Sequence, residues 1–256
     1  MIVILFTGGT ISMQHDPVAG GATPRLTASD IVLATHGIDT ITGIETEEWG
    51  HFPGPHMTVP RMWALRNRIA QHLARDEVSG VVVTHGTDTL EESAYLAARS
   101  LAASKPVVFT GAMRTQSDLG WDGPANLFEA VLVAASPAAR GYGVLVVLGG
   151  QVFTALDVTK SNAQLLDAFE SPGLGPLGYL DERNVIFRRE LPSPPAPLQP
   201  LEPATPIDVF FAVAGGDARL LDAVRAESRG AVIAAMGRGN VPPDMVAGIR
   251  RFVEEG

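Results

Sequence analysis

The chain has 256 residues, 46% hydrophobic and 18% charged, and its 28 Asp and Glu outnumber 19 Lys and Arg to give a formal net charge of −9. That composition excludes a disordered chain, and the acidic balance disfavours nucleic acid as a main partner, because phosphate binding needs clustered Lys and Arg. No apolar stretch reaches the ~20 residues that span a bilayer, and the absence of cysteine excludes disulfides and Cys-based metal sites.

The chain opens on Ile2-Val3-Ile4-Leu5-Phe6, a short apolar run that predicts a buried strand near 2–6. No basic n-region or small-residue cleavage site precedes it, so a cytoplasmic protein is expected. Thr7-Gly8-Gly9-Thr10 follows. Two glycines let the backbone approach a ligand closely and can aim successive N–H groups at an anion. The stretch is neither a G-x-G-x-x-G fingerprint nor a P-loop, and Gly-Gly alone reads as a turn between elements. Residues 12–24 are rich in Gly and Pro and predict a loop of the length used for lids. Further strands are expected near 41–45, 80–84, 106–110 and 143–148, and helices near 28–36, 60–75, 90–103 and 123–135. This alternation predicts an α/β fold, a mostly parallel sheet with helices on both faces in a Rossmann-like N-terminal domain.

The run Val81-Val82-Val83-Thr84-His85-Gly86-Thr87-Asp88-Thr89 is the most informative. A β-branched strand stops abruptly in hydroxyls and a carboxylate, just before an apolar helical segment. Open α/β folds place their chemistry at such strand ends. Thr89-x-x-Glu92 also fits a capping box, and Asp88 favours a helix N-terminus. Capping accounts for one or two of these residues but leaves Thr84, His85 and Thr87 over. After the strand Val144-Leu145-Val146-Val147-Leu148 comes Asp157-Val158-Thr159-Lys160-Ser161-Asn162, where Lys160 on spacing alone reads as a surface lysine.

Prolines crowd residues 189–206, predicting a stiff extended linker. Beyond it, Ile207 to Val213 and Ala231 to Met236 read as strands. Leu220, Leu221 and Val224 share one helical face, and Val246, Ile249, Phe252 and Val253 suggest a final amphipathic helix. The expected organisation is an N-terminal α/β domain over 1–188, a linker over 189–206 and a smaller, apparently truncated α/β domain over 207–256.

Taken together, Thr7-Gly8-Gly9-Thr10-Ile11, Thr84-His85-Gly86-Thr87-Asp88-Thr89 and Asp157-Val158-Thr159-Lys160 resemble the bacterial-type L-asparaginases. Gly111-Ala112-Met113-Arg114, Asp122-Gly123-Pro124-Ala125-Asn126-Leu127 and Gly175-Pro176-Leu177-Gly178 resemble that family's other segments, in the right order, so the resemblance covers nearly the whole chain. It implies hydrolysis of the side-chain amide of L-asparagine, with L-glutamine as a possible second substrate, and no metal or organic cofactor. It implies that Thr10 is the nucleophile and that Thr87, Asp88 and Lys160 complete the catalytic set, with Asp88 also holding the substrate's α-amino group. A lysine serves as base only when enclosed, so Lys160 is expected to be mostly buried and to exchange a proton with Thr87. Backbone N–H groups near Thr10 or Ala112 are the expected oxyanion donors.

The resemblance also sets expectations where this chain departs from the family. The lid lacks the tyrosine that many relatives carry, and His15 is either its stand-in or an exposed loop histidine. The substrate-gripping serine is replaced by Gly54 or Pro55, and His56 is either a substrate contact or a turn residue. Family members work as dimers or tetramers whose C-terminal domains complete neighbouring sites. A homodimer or homotetramer with reduced or absent activity is therefore one expected outcome of the short C-terminal domain. A tRNA-dependent amidotransferase subunit, which carries an additional N-terminal domain, is not expected. A non-catalytic amide- or amino-acid-binding module on the same fold is the alternative.

Overall fold

The structure, a computed structural model, describes residues 1–18, 20–191, 198 and 202–255. The chain folds as two compact units, Met1–Leu201 and Glu202–Gly256. Of the proline-rich stretch expected at 189–206, residues 192–197 and 199–201 lie outside the described residues.

The first unit runs β1 (Ile2–Gly8), β2 (Met13–Asp16), β3 (Gly21–Pro24), α1 (Ala28–Ala34), β4 (Ile44–Phe52), α2 (Val59–Leu73), β5 (Gly80–Thr84), α3 (Leu90–Ser100), β6 (Val107–Thr110), α4 (Gly123–Ala135) and β7 (Val144–Leu148). It continues with β8 (Gln151–Thr154), β9 (Thr159–Lys160), β10 (Phe169–Glu170), β11 (Gly178–Asp181) and β12 (Asn184–Phe187). Eight strands form one sheet in the order β12-β11-β8-β7-β6-β5-β1-β4. β4, β1, β5, β6 and β7 are mutually parallel. The last three are antiparallel, each to its neighbour. The chain moves from β1 outward to β4 and then returns to the other side of β1 to lay down β5, β6 and β7. This reversal opens a crevice at the carboxyl ends of β1 and β5, where open α/β sheets bind ligands.

The strands form because both of their faces are covered. Along β1, Ile2, Ile4 and Phe6 pack with Ile31 of α1 and with Leu127, Ala130 and Val131 of α4. Val3 and Leu5 face the other way, into Leu65 and Ile69 of α2 and Leu90, Ala94 and Ala97 of α3. Each large aliphatic side chain buried in this way contributes roughly 1.5–3 kcal/mol. Double coverage also explains why these strands read as continuous apolar runs rather than alternating ones.

Two expectations are corrected. The strand expected at 41–45 begins at Ile44 and runs to Phe52. It is a sheet edge, and its charged residues hide it from an apolar scan. Glu45 pairs with Arg75 at 2.7 Å and Glu47 with Arg68 at 2.8 Å, so α2 and the residues just after it cover polar side chains there. The loop expected at 12–24 is instead a hairpin, with Met13 opposite Pro24 and Asp16 opposite Gly21. It is clipped shut by an Arg25–Asp16 ion pair, and it lies on the loop after β6, where the Gln116 N–H donates to the Met13 carbonyl at 3.1 Å.

In the second unit, β13 (Asp208–Phe211) and β14 (Ala231–Ala234) are parallel, with α5 (Arg219–Val224) between them in sequence and α6 (Pro243–Glu255) following. Phe210 and Ile233 pack with Leu221 and Met245, whereas Val209, Phe211 and Val232 are exposed. Among the described residues no helix is long and apolar enough to cross a membrane.

Candidate active site

Four strand-end connections meet at the crevice, and glycines let them touch. Phe6 of β1 stands beside Thr84 of β5. Gly9, at φ 81°, adopts a conformation that L side chains rarely take, and a side-chain carbon there would stand 2.5 Å from the Gly86 nitrogen. A side-chain carbon at Gly86 would in turn stand 2.5 Å from the Gly54 Cα. One at Gly111, after β6, would lie 2.6 Å from the His85 carbonyl oxygen and 3.2 Å from the Thr87 Cγ2. The loops after β1, β4, β5 and β6 are therefore in backbone contact. Thr10 and Thr87 each follow one member of the Gly9–Gly86 contact.

Thr10 opens a single 3-10 turn, Thr10–Ser12. The Ser12 N–H and Oγ both donate to the Gly9 carbonyl, at 3.0 and 2.9 Å, and Ile11 is fully buried. The turn is anchored on both sides of Thr10, which stays half-buried at the crevice.

Thr87 is buried and Asp88 is exposed. The Lys160 Nζ donates to Thr87 Oγ1 at 2.8 Å and to Asp88 Oδ1 at 2.7 Å. The lysine side chain is only 15% exposed and the Asp88 side chain 57%. The amine is thus enclosed as expected, while the carboxylate beside it keeps a solvent-facing edge. This geometry suits proton exchange between Lys160 and the Thr87 hydroxyl.

His85 is fully buried rather than facing the crevice. Its Nδ1 lies 2.9 Å from the Gly86 carbonyl oxygen and its Nε2 2.9 Å from Ser93 Oγ. Burial pushes the imidazole down to about 4, partly offset by the bond to the Gly86 carbonyl. A group at about 4 when folded and near 6.5 when unfolded binds fewer protons in the folded state. Its contribution to stability is full above pH 6.5 and is lost as pH falls from there to about 4. Urea unfolding from pH 7 to 4 is expected to show the parent chain losing about 3 kcal/mol more than His85→Gln across this window. Equal pH slopes for the two proteins would contradict a buried neutral imidazole.

Thr89 does not form the expected capping box. Its Oγ1 donates instead to the Gly54 carbonyl at 2.8 Å, tying the loop after β4 to the loop after β5, and among the described residues no side chain caps α3. Gly54 is buried against Asp88, whereas Pro55 and His56 are exposed beside it. His15 is exposed on the hairpin. Ala112 is fully buried among core side chains, so only its backbone can serve the crevice.

Several residues that hold the site were not singled out individually by sequence reasoning. Asp122 accepts from the N–H groups of Met113 and Arg114, at 2.9 and 2.8 Å. The buried Asn126 donates to the Gly111 carbonyl at 3.0 Å and accepts from the Gly149 N–H at 3.0 Å, linking the loop after β6 to the β7–β8 turn. Glu91 grips β9, with Oε2 accepting from the Lys160 N–H at 2.5 Å and Oε1 from the Thr159 hydroxyl at 3.2 Å. Asp122 and Asn126 fall within a segment that resembles the family, but only the fold shows what they bind. Glu91 carried no signal beyond its place in a helix's first turn.

The family described as "Asparaginase, N-terminal" matches residues 1–193. The chain belongs to the asparaginase family. It is 35% identical over 255 residues to a probable L-asparaginase of Deinococcus radiodurans, a match covering 96% of this chain and 74% of that protein. It is 32% identical over 270 residues to L-asparaginase 2 of Bacillus subtilis, covering 100% of this chain and 70% of that protein. Among solved structures, the probable cytoplasmic L-asparaginase of Campylobacter jejuni superposes with a TM-score of 0.89 at 29% identity, over 99% of this chain and 80% of that one. Within this asparaginase-family chain, Thr10, Thr87, Asp88 and Lys160 all belong to the first unit and gather at its sheet reversal.

Proposed function

We propose that this chain hydrolyses the side-chain amide of L-asparagine to L-aspartate and ammonia through Thr10. The observation that carries the reading is the Lys160 amine bonded to both Thr87 and Asp88 beside the Gly9–Gly86 contact. A threonine hydroxyl is a weak nucleophile and needs a base within reach. In this reading the Thr10 hydroxyl loses its proton as its oxygen bonds to the carboxamide carbon. The tetrahedral oxyanion collapses, the C–N bond breaks and ammonia leaves with the transferred proton. Water then cleaves the β-aspartyl ester, returning a proton to Thr10 and releasing aspartate. Lys160 and Thr87 move the proton, and Asp88 holds the substrate's α-ammonium at its solvent-facing edge. Oxyanion donors are assigned to backbone N–H groups near Thr10 and Ala112, each worth about 3–4 kcal/mol. Gly54, Pro55 and His56 form the rim of the binding site, with Gly54 shaping it through its backbone.

Assembly into a homodimer or homotetramer belongs to the same reading, and the exposed Val209, Phe211 and Val232 supply an apolar surface for it. Cytoplasmic residence belongs to the same reading and agrees with the name of the Campylobacter relative, whereas a Haemophilus influenzae relative is called periplasmic. The test is ammonia release from L-asparagine and L-glutamine by the purified chain, with calorimetry alongside, at an oligomeric state measured by light scattering. Release from asparagine exceeding that from glutamine is expected. Binding without ammonia would favour the amide-binding module instead.

A further inference from the structure

We infer that Glu91 is a positioning residue for Lys160, fixing the lysine's backbone while Thr87 and Asp88 hold its amine. β9 is two residues long and among the described residues pairs only with β10, placing Lys160 opposite Phe169 and Thr159 opposite Glu170. Isolated two-stranded pairs are marginal in water. β9 therefore needs an external hold, and Glu91 supplies it with both carboxylate oxygens, at 2.5 Å to the Lys160 N–H and 3.2 Å to the Thr159 hydroxyl. A carboxylate accepting a backbone N–H makes one of the stronger hydrogen bonds available.

Glu91 lies three residues after Asp88, in the first turn of α3. Both ends of Lys160 are thus referenced to one short segment, residues 87–91. The distance between amine and Thr87 hydroxyl is then set locally, even though Lys160 is distant in sequence. The neighbouring Glu92 is exposed and shares neither bond.

This inference rests on the proton-transfer role proposed for Lys160. Misplacing a reacting group by 1 Å costs on the order of 100-fold, so Glu91→Ala is expected to lower kcat roughly 10- to 100-fold while KM moves less than about threefold. Glu91→Gln keeps an acceptor oxygen at the same reach and is expected to retain most of the rate. Glu91→Asp keeps the charge but falls one methylene short and is expected to lose rate. In a Lys160→Met background, Glu91→Ala is expected to cost nothing further, because it acts through the lysine. Amide hydrogen exchange at Lys160, with melting temperature as the control for folding, reads the anchor independently of activity. Protection at that amide is expected in the parent chain and in Glu91→Gln, and is expected to be lost in Glu91→Ala.

Full kcat in Glu91→Ala, or an equal extra loss in the Lys160→Met background, overturns the inference. So does a pattern in which Glu91→Asp is active and Glu91→Gln is not, which would assign the effect to charge. Full turnover in Lys160→Met overturns the proposed role of the lysine and this inference together. An inactive Lys160→Met beside a fully active Glu91→Ala overturns this inference alone.

Discussion

Thr10→Ala is expected to release ammonia from asparagine about four orders of magnitude more slowly than the parent chain, while still binding asparagine. The size of the loss follows from the role. Removing a nucleophile eliminates the covalent route and leaves only the catalysis supplied by binding and oxyanion donors. Retained binding follows from the geometry. Asp88 and the loop at Gly54 do not involve the Thr10 side chain, and the turn around it is held by the Ser12–Gly9 bonds and the buried Ile11. Thr10 is half-buried and its hydroxyl carries none of those bonds, so the stability change is expected within about 0.5 kcal/mol, as for surface substitutions. Thr10→Ser, which restores a hydroxyl, is expected to recover much of the rate. The checks are steady-state ammonia assays and calorimetry on the same preparations. Turnover at the parental rate in Thr10→Ala would remove Thr10 from the reaction and leave Thr87 as the remaining hydroxyl candidate.

The second large effect is expected at Lys160. Lys160→Met preserves the length and apolar stem of the side chain but ends the proton exchange with Thr87. General acid–base catalysis typically contributes 100- to 10,000-fold, and a loss of roughly that size in kcat is expected. The structural cost is small by comparison. The partner Asp88 is 57% exposed and can be solvated once the amine is gone, so it is not left as a buried unpaired charge. The Thr87 hydroxyl is buried and loses a partner, at a cost of about 1 kcal/mol. The backbone of residue 160 stays anchored by Glu91 in this variant, because that bond uses the main-chain N–H. Separate kcat and KM values for the parent and the variant distinguish loss of a proton carrier from loss of shape: a fall in kcat with KM changed less than about threefold is expected, and a rise in KM at unchanged kcat would contradict the assignment.

The parallel centre of the first unit was legible in the sequence because its strands are buried on both faces. Val81-Val82-Val83 and Val144 to Leu148 can hardly be read otherwise once turn residues bound them. The edge strand β4 was misplaced because its coverage is ionic, through Glu45–Arg75 and Glu47–Arg68, and apolar periodicity does not see it. The hairpin of β2 and β3 was read as a loop for a related reason. Met13 to Asp16 carries no apolar alternation, and its order comes from its ladder, the Arg25–Asp16 pair and the loop carrying Gln116.

The candidate site divides in the same way. Thr10, Thr87 and Asp88 stood out as polar residues at the ends of apolar strands, and the sheet reversal explains why such positions converge. Lys160 was visible only through the family resemblance. Its own neighbourhood is a two-residue strand, and its meaning comes from residues more than 70 positions earlier in the chain. His85, part of the same polar cluster, turned inward because its two ring nitrogens find Gly86 and Ser93 inside the fold. Thr89 matched a capping pattern, yet its hydroxyl went to Gly54, a partner that no local pattern identifies. Contacts between segments distant in sequence decided the outcomes at Lys160 and Thr89, and contacts within residues 85–93 decided the one at His85.

The most direct test of Thr10 as the reacting group is acid quench during turnover of L-asparagine, followed by peptide mass spectrometry. A β-aspartyl ester on the peptide containing Thr10, absent from the Thr10→Ala protein, is the predicted result. The same ester carried by Thr87, with Thr10 unmodified, would contradict the account.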